Sequence, residues 1–388
     1  MNRPADTSAP RSGLPPPARV PLLFLGFIGL LFGAGAGLAR LGWTVPEAMA
    51  GAAGLHGPLM ICGFFGVVIA IERAVALGRY WAYGGPLLAG IGAVLTALAT
   101  VTPAATNYAA LFYFGGGLVF LGASLDVLRR QRELFTLTLA IGAACWPIGT
   151  ALWLAGQPVP AAVPWWLAFL ILTIAGERLE LSRFLPPSRG AKTAFGVILL
   201  VILVGLLGAQ TQPGQLLFAV GLLALSVWLV RQDIARRTVR GRGLTRFIAW
   251  CLLAGYFWLA IGALVALATG GFTPGGAAYD AALHALTLGF VFSMVFGHAA
   301  IILPAVLRVV LPYHWSFYLP LLLLHGSLAI RLLGDARIGL GQIDAGFAWT
   351  RMGGAINALA LAAFILAMAS AVYRGRQSRK AAAVQRSG

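Results

Sequence analysis

The chain has 388 residues, of which 60% are hydrophobic and only 10% are charged, and its formal net charge is +17. Its apolar residues fall in runs of about 20, which is the length that crosses a bilayer as a helix. The charged residues collect between these runs rather than along one face of them, which excludes a soluble protein built from amphipathic helices. The composition therefore predicts an all-α polytopic membrane protein.

About twelve membrane-spanning helices are predicted from the hydropathy of the chain. In order they are Val20–Leu41, Met49–Leu77, Gly84–Val101, Tyr108–Val127, Leu134–Ala155, Ala161–Phe184, Ala194–Ala209, Gln215–Val230, Leu244–Ala268, Ala277–Leu307, Ser316–Leu333 and Gly346–Tyr373. The Pro-rich residues 1–19 are predicted to be a disordered cytoplasmic tail, residues 20–373 one transmembrane domain, and residues 374–388 a basic cytoplasmic tail. The first apolar run lacks a small-residue cleavage site, which indicates an anchor rather than a signal peptide.

Arginine is concentrated on one side of the predicted topology. The segments after spans 2, 4, 6, 8 and 12 are rich in arginine, whereas "VTPAATN", "GQPVP", "GAQTQPG" and "TGGFTPGG" contain no Lys or Arg. The positive-inside rule then places both termini in the cytoplasm and the chain in the bacterial inner membrane. The net charge indicates topology and attraction to anionic lipid rather than nucleic-acid binding.

Histidines are rare, and most of them lie where water is scarce. Four of the five, His56, His284, His298 and His325, fall inside predicted spans, whereas His314 follows span 10 on the cytoplasmic side. An ionisable side chain at such a depth costs about 3 kcal/mol unless it has a partner. These four histidines are therefore candidate ligands of a metal or cofactor.

The spacing of the histidines predicts two pairs at two depths. His284 and His298 are fourteen residues apart on span 10, about 40° short of four full turns and about 21 Å in rise. His56 and His284 each lie about seven residues from the outer end of their spans, and His298 and His325 about ten residues from the cytoplasmic end. Each pair is predicted to meet at its own level.

Two facing imidazoles can hold the iron of a haem edge-on between helices. Small neighbours would leave room for a flat macrocycle, and glycines flank the histidines at Gly57, Gly63, Gly66, Gly289, Gly297 and Gly326. The alternative is that Gly-rich spans pack closely and each histidine bonds a carbonyl or hydroxyl of a neighbouring helix. That alternative suits any single histidine, whereas the matched set favours the ligand interpretation.

Basic and acidic residues near the span ends carry further hypotheses. Haem propionates would be bound by the outer arginines Arg331, Arg337 and Arg351, unless these side chains only reach for lipid headgroups. Spans 2 and 6 both end in a Glu-Arg pair, Glu72–Arg73 and Glu177–Arg178, which is consistent with three four-helix units. The pairs are interpreted as interfacial ion pairs, with a proton-uptake point as the alternative.

The arrangement resembles known haem proteins. Twelve spans with histidines on spans 2 and 10 are similar to subunit I of the haem-copper oxidases, whose low-spin haem is held by histidines of those two helices. The segment "HALTLG", His284 to Gly289, resembles the "HALT-x-G" motif of the NnrS family, haem- and copper-containing membrane proteins associated with nitric oxide stress. The resemblance implies that His56 is an axial ligand on span 2 and that His284 or His298 is its counterpart.

Departures from these families limit what is expected. Spans 6 and 7 contain none of the three histidines that an oxidase uses for copper. The span 2 segment "GLHGPLM" has one histidine, whereas the "WHAHE"-like segment of NnrS proteins has two. Copper is therefore left open and a binuclear centre is not expected. Four ligands would serve two bis-histidine haems, or one such haem and a five-coordinate haem open to a gas. The spacing also resembles the two-haem helices of cytochrome b proteins.

The sequence thus predicts a haem-binding inner-membrane protein with one or two haems. Its role would be electron transfer or a nitric oxide response, with a redox partner protein or a small gas as ligand. The alternative is a cofactor-free multi-pass transporter or channel, in which the histidines relay protons or bind substrate. Spans interrupted by Pro58, Pro147 and Pro304 are typical of such broken helices.

Overall fold

The computed structural model of the protein describes residues 13–99, 105–181 and 188–387. In these residues 12 helices are long and apolar enough to cross a membrane, and no strand occurs. We label them α1 to α12, in the order Pro16–Arg40, Ala53–Leu77, Tyr80–Leu98, Ala105–Arg130, Leu134–Leu154, Val159–Leu181, Arg189–Leu207, Gln212–Gln232, Gly243–Ala268, Ala277–Leu307, Trp315–Gly339 and Ile343–Arg379. The predicted all-α polytopic fold with twelve spans is confirmed.

Several helices extend beyond their apolar core. Helix α1 begins at Pro16 because proline suits the first helical position, where its missing N–H would have no partner. Helix α4 runs on to Arg130, since cations in a last turn complement the helix dipole. The last helix continues to Ser387, so most of the predicted basic tail is helical. Residues 1–12 of the predicted N-terminal tail, and the predicted span ends at Val101 and Phe184, lie outside the described residues.

The helices contact one another in chain order around a closed ring. Helices α1 to α4 pack together, α5 to α8 follow, and α9 to α12 complete the ring where α12 contacts α1. Helices α2, α6 and α10 also contact each other pairwise. Helix α6 is the most buried of the twelve, with 72% of its most apolar segment inside the protein. Helices α2, α6 and α10 therefore lie at the centre of the bundle.

The bundle has two chemically different ends. We call the end where α2, α4, α6 and α8 terminate the basic face, because arginines follow these helices in the sequence. We call the opposite end, where α2 and α10 begin, the His56 face. His284 lies on the same side as His56, whereas Glu72 and Glu177 lie near the basic face.

Helices α7 and α8 approach closely through glycine, which allows a direct test of the packing. A methyl group at Gly205 would overlap the backbone of Phe218, whereas a methyl group at Gly196 on the same helix would meet no heavy atom within 4 Å. Gly205→Ala is expected to lower the stability by about 1–3 kcal/mol. Gly196→Ala is expected to be neutral or slightly stabilising. Thermal unfolding in detergent checks both, and equal losses in the two variants would contradict this packing.

Candidate functional site

His56 and His284 face each other across the centre of the bundle. Their imidazole rings are 6.3 Å apart between centroids, and the ring planes differ by 24°. His56 Nδ1 lies 2.7 Å from the carbonyl oxygen of Gly33, and His284 Nδ1 lies 2.8 Å from that of Asp280. A carbonyl can only accept, so both Nδ1 atoms carry the proton and donate it. Each Nε2 therefore keeps a lone pair for a ligand.

A second layer of contacts fixes His284. The Asp280 carboxylate lies 3.3 Å from His284 Nδ1 and accepts two hydrogen bonds from Arg331, at 2.7 and 2.9 Å. Arg331 is buried, with 7% of its surface exposed. Metal-binding histidines commonly donate their second N–H to a carbonyl or carboxylate, which fixes the tautomer and the ring orientation. Asp280 offers both kinds of acceptor to His284.

The structure places the predicted propionate ligands in other contacts. The Arg331 guanidinium is paired with Asp280 and ties α11 to α10. Arg351 lies 4.4 Å from the ring centroid of Trp43 and donates to the carbonyl of Gly42 at 3.1 Å. It therefore ties α12 to the segment that follows α1. Each of these two arginines therefore connects two segments of the bundle.

A further arginine was missed by the sequence analysis. Arg40 lies in the last turn of α1, is exposed, and acts electrostatically on His56 and on Tyr279 of α10. Unlike Arg331, it has no hydrogen bond or ion pair among the described residues. In the sequence, the only signal that could have identified Arg40 is its position at a span end, on the side where positive charge is sparse. Two arginines act electrostatically on His56, and of these Arg331 is paired with Asp280 whereas Arg40 has no such partner among the described residues.

An unusual helical turn begins within three residues after each histidine. The segments Leu59–Phe65 of α2 and Ala285–Phe292 of α10 are π-helical. Eight residues beyond each histidine, Phe64 and Phe292 stack with centroids 5.8 Å apart and planes 12° apart. Helices α2 and α10 are therefore in the same register at the level of the histidines and at the level of the phenylalanines. Short π-helical stretches are rare and concentrate at functional sites.

The second predicted histidine pair is not formed among the described residues. Trp258 Nε1 donates to His325 Nδ1 at 2.9 Å, and Ser293 Oγ lies 3.3 Å from His325 Nε2. Ser293 Oγ itself donates to the carbonyl of Cys251 at 2.7 Å, so His325 Nε2 is the donor to Ser293. His325 therefore has both ring nitrogens occupied and serves packing.

The depth estimate failed because of the connection between α10 and α11. Ser293 is five residues from His298, so His325 lies about 7 Å farther from the basic face than His298 does. Residues 308–314 are not helical, and Arg308 has φ 54°. Helix α11 therefore does not begin level with the end of α10. His298 instead donates from Nδ1 to the carbonyl of Met294 at 2.6 Å, and its buried Nε2 has no hydrogen-bond partner among the described residues.

Most of the glycines near the histidines serve helix packing. A methyl group at Gly66 would lie 2.7 Å from the ring of Trp146, and one at Gly289 would overlap Trp258. By contrast, a methyl group at Gly57 or Gly326 would meet no heavy atom within 4 Å. The expectation that all these glycines make room for a macrocycle is therefore wrong for Gly66 and Gly289, and open space remains beside His56.

A polar cluster lies on the same three central helices toward the basic face. The charges of Arg73 and Arg178 act on both Glu72 and Glu177, and Arg178 also acts on His298. No ion pair within 4 Å joins these carboxylates to the two arginines in the described residues. Arg178 is only 7% exposed, and its Nε has no hydrogen-bond partner in the part of the chain that the structure describes. The two Glu-Arg pairs thus form a half-buried cluster without close ion pairs among the described residues.

The side chains available as ligands limit which metal or cofactor the site could hold. Over the described residues, no group of three or more His, Cys, Asp or Glu side chains is placed to hold a metal ion. Two imidazoles suit an iron whose other ligands come from a macrocycle.

No curated protein matches the chain. A family model described as "Domain of unknown function (DUF8744)" matches residues 19–373, and the chain therefore belongs to this family.

Proposed function

We propose that the protein binds haem between α2 and α10, with His56 and His284 as the two axial ligands. The observation that carries this proposal is the 6.3 Å spacing of two imidazoles whose Nδ1 atoms are both engaged by carbonyls. Two imidazole–metal bonds of about 2 Å, with the two ring radii, span about 6 Å in all. The pair therefore has the spacing that one shared iron requires.

The surroundings support the same assignment. Phe64 and Phe292 form an aromatic floor between the two helices, and a methyl group at Gly57 would meet no heavy atom within 4 Å. Arg40 is the cation that would hold a propionate, in place of the paired Arg331. Asp280 would orient His284 through the carbonyl and the carboxylate.

The ligand number favours one kind of role. When bound, haem supplies a one-electron couple, and two protein ligands leave its iron no open position. We therefore propose electron transfer with a redox partner protein, and a nitric oxide response only where the gas displaces a histidine. The positive-inside rule would place the basic face and both termini on the cytoplasmic side of a bacterial inner membrane. The histidine pair would then lie near the opposite surface of that membrane. The partner is expected to dock on the His56 face.

The experiment is a count of haem and metals in the purified protein. Protein from haem-replete cells is assayed by pyridine haemochrome and by elemental analysis for iron and copper. One haem per chain without copper is expected, because the described residues bring one pair of histidines together. A folded preparation without haem would overturn the proposal.

A cofactor-free transporter or channel is the second candidate, and the buried cluster favours it. Glu72, Glu177 and His298 lie on three different central helices, and the buried His298 Nε2 has no hydrogen-bond partner within the described ranges. Groups of this kind relay protons in membrane transporters. The cluster is therefore the part of the molecule that would move protons.

For this candidate, proton flux into proteoliposomes is the measurement. A potassium diffusion potential drives the protons, and an internal pH dye reports their entry. The flux with the wild type is expected to exceed the flux into empty liposomes. Glu72→Gln combined with Glu177→Gln is expected to reduce the flux several-fold, because both carboxylates of the cluster are lost. Glu47→Gln, an exposed carboxylate outside the cluster, is the matched control and should keep the flux. A wild-type flux equal to that of empty liposomes would remove this candidate.

A further inference from the structure

A pocket of about 340 Å³ opens on the basic face, far from the histidine pair. It lies where α9 begins and where the chain enters α11, and it is lined by Arg242, Gly243, Arg246, Trp250, Tyr313 and Tyr318. Aromatic contacts hold its two sides together, since Phe247 lies 5.7 Å from Phe317 and 5.3 Å from Tyr318 between ring centroids. None of the lining residues is acidic, so the pocket is positively charged.

The two arginines of the pocket are available to a ligand. Arg242 directly precedes α9 and Arg246 lies in its first turn, and both side chains are exposed and line the pocket. Neither has a hydrogen bond or ion pair in the part of the chain that the structure describes, in contrast to Arg130, which pairs with Asp126. Paired guanidinium groups match the oxygens of a phosphate, and tyrosine hydroxyls can add donors.

An apolar stripe continues from this pocket along α9. Trp250, Phe257 and Leu264 are 45%, 57% and 46% exposed and are spaced seven residues apart, so they lie on one face of the helix. Trp250 follows Arg246 by four residues and lines the pocket itself. On α11, Leu319 and Leu322 are also exposed. A cationic pocket at the membrane surface therefore leads directly into a lipid-facing apolar surface.

We propose that this pocket binds the headgroup phosphate of an anionic phospholipid, whose acyl chains lie along Trp250, Phe257 and Leu264. The stripe distinguishes a lipid from free phosphate, because free phosphate would use only the arginines and the hydroxyls. The absence of carboxylates among the lining residues favours an anionic headgroup over a zwitterionic one. This inference does not depend on haem binding.

The test is lipid binding to the full-length protein in detergent, measured by native mass spectrometry. Phosphatidylglycerol and phosphatidylcholine with identical acyl chains are the probes. Wild-type protein is expected to bind phosphatidylglycerol roughly 10-fold or more tightly than phosphatidylcholine. Arg242→Gln with Arg246→Gln should remove this preference, because each arginine near the surface contributes to attraction.

Arg236→Gln with Arg237→Gln is the matched control, since it removes two exposed arginines of the same face that do not line the pocket. The control is expected to keep the preference. An equal loss in both double variants, or displacement of the lipid by millimolar inorganic phosphate, would overturn the proposal. If the pocket variant does not fold, Arg246→Gln alone decides, with an expected loss of roughly 5-fold in phosphatidylglycerol binding.

Discussion

Replacing His284 by alanine is expected to remove haem from the purified protein. The imidazole would supply one of two protein ligands, and its ring lies 6.3 Å from that of His56. His56→Ala is expected to have the same effect for the same reason. Haem per chain, measured by pyridine haemochrome, should fall at least roughly 10-fold in both variants, as expected when a metal ligand is lost. Full haem content in either variant would contradict the ligand assignment.

Two other histidines provide controls for this prediction. His314 lies in the segment before α11 and contacts Ser316, and His325 is held by Trp258 and Ser293. His314→Ala and His325→Ala are both expected to keep haem, although His325→Ala should be less stable. His284→Gly with added imidazole separates a ligand from a packing role. Imidazole should restore the haem spectrum because it can occupy the vacated position, whereas a packing defect would not be restored.

Replacing Arg331 by leucine is expected to have the largest effect on stability among the charge changes. The substitution leaves the Asp280 carboxylate without its two hydrogen bonds, and the side chains of Arg331 and Asp280 are only 8% and 31% exposed. Breaking a buried pair from one side costs about 3 kcal/mol, and the partial exposure of Asp280 reduces this to about 2 kcal/mol. Because Asp280 positions His284, haem affinity should also fall roughly 10-fold.

Thermal unfolding and haem titration of the same variants check this result. Arg130→Leu is the matched control, because its pair with Asp126 has a similar distance of 2.7 Å but side chains that are 52% and 29% exposed. The control should lose less than about 1 kcal/mol. Asp280→Asn combined with Arg331→Leu should recover part of the stability, since the Asp280 charge is then removed together with its partner. Equal losses for Arg331→Leu and Arg130→Leu would contradict the buried pair.

Properties that follow from position along the chain were predictable from the sequence. Hydropathy located all twelve spans, because burial in lipid depends mainly on local composition. Counting residues from the span ends placed His56 and His284 at one level, and the structure brings their rings together. The count worked for this pair because both helices begin on the same face and carry their histidines at similar distances from it.

Properties that depend on connections between helices were not predictable in this way. The shape of residues 308–314 sets the depth of α11, so His325 meets Ser293 and Trp258 instead of His298. The pairing of Arg331 with Asp280 depends on how α11 packs against α10. The π-helical turns after His56 and His284 carry no recognised sequence signal. The first two of these features depend on how two neighbouring helices are placed relative to each other.

Electron paramagnetic resonance of the oxidised, purified wild type tests the central claim most directly. If His56 and His284 hold one haem iron together, the protein should show a low-spin ferric signal, because two imidazoles give a strong axial field. Ring planes only 24° apart favour a rhombic form of that signal. The signal should be absent from His284→Ala. A high-spin ferric signal in the wild type, or a folded protein that carries no haem, would contradict the claim that these two histidines share a haem.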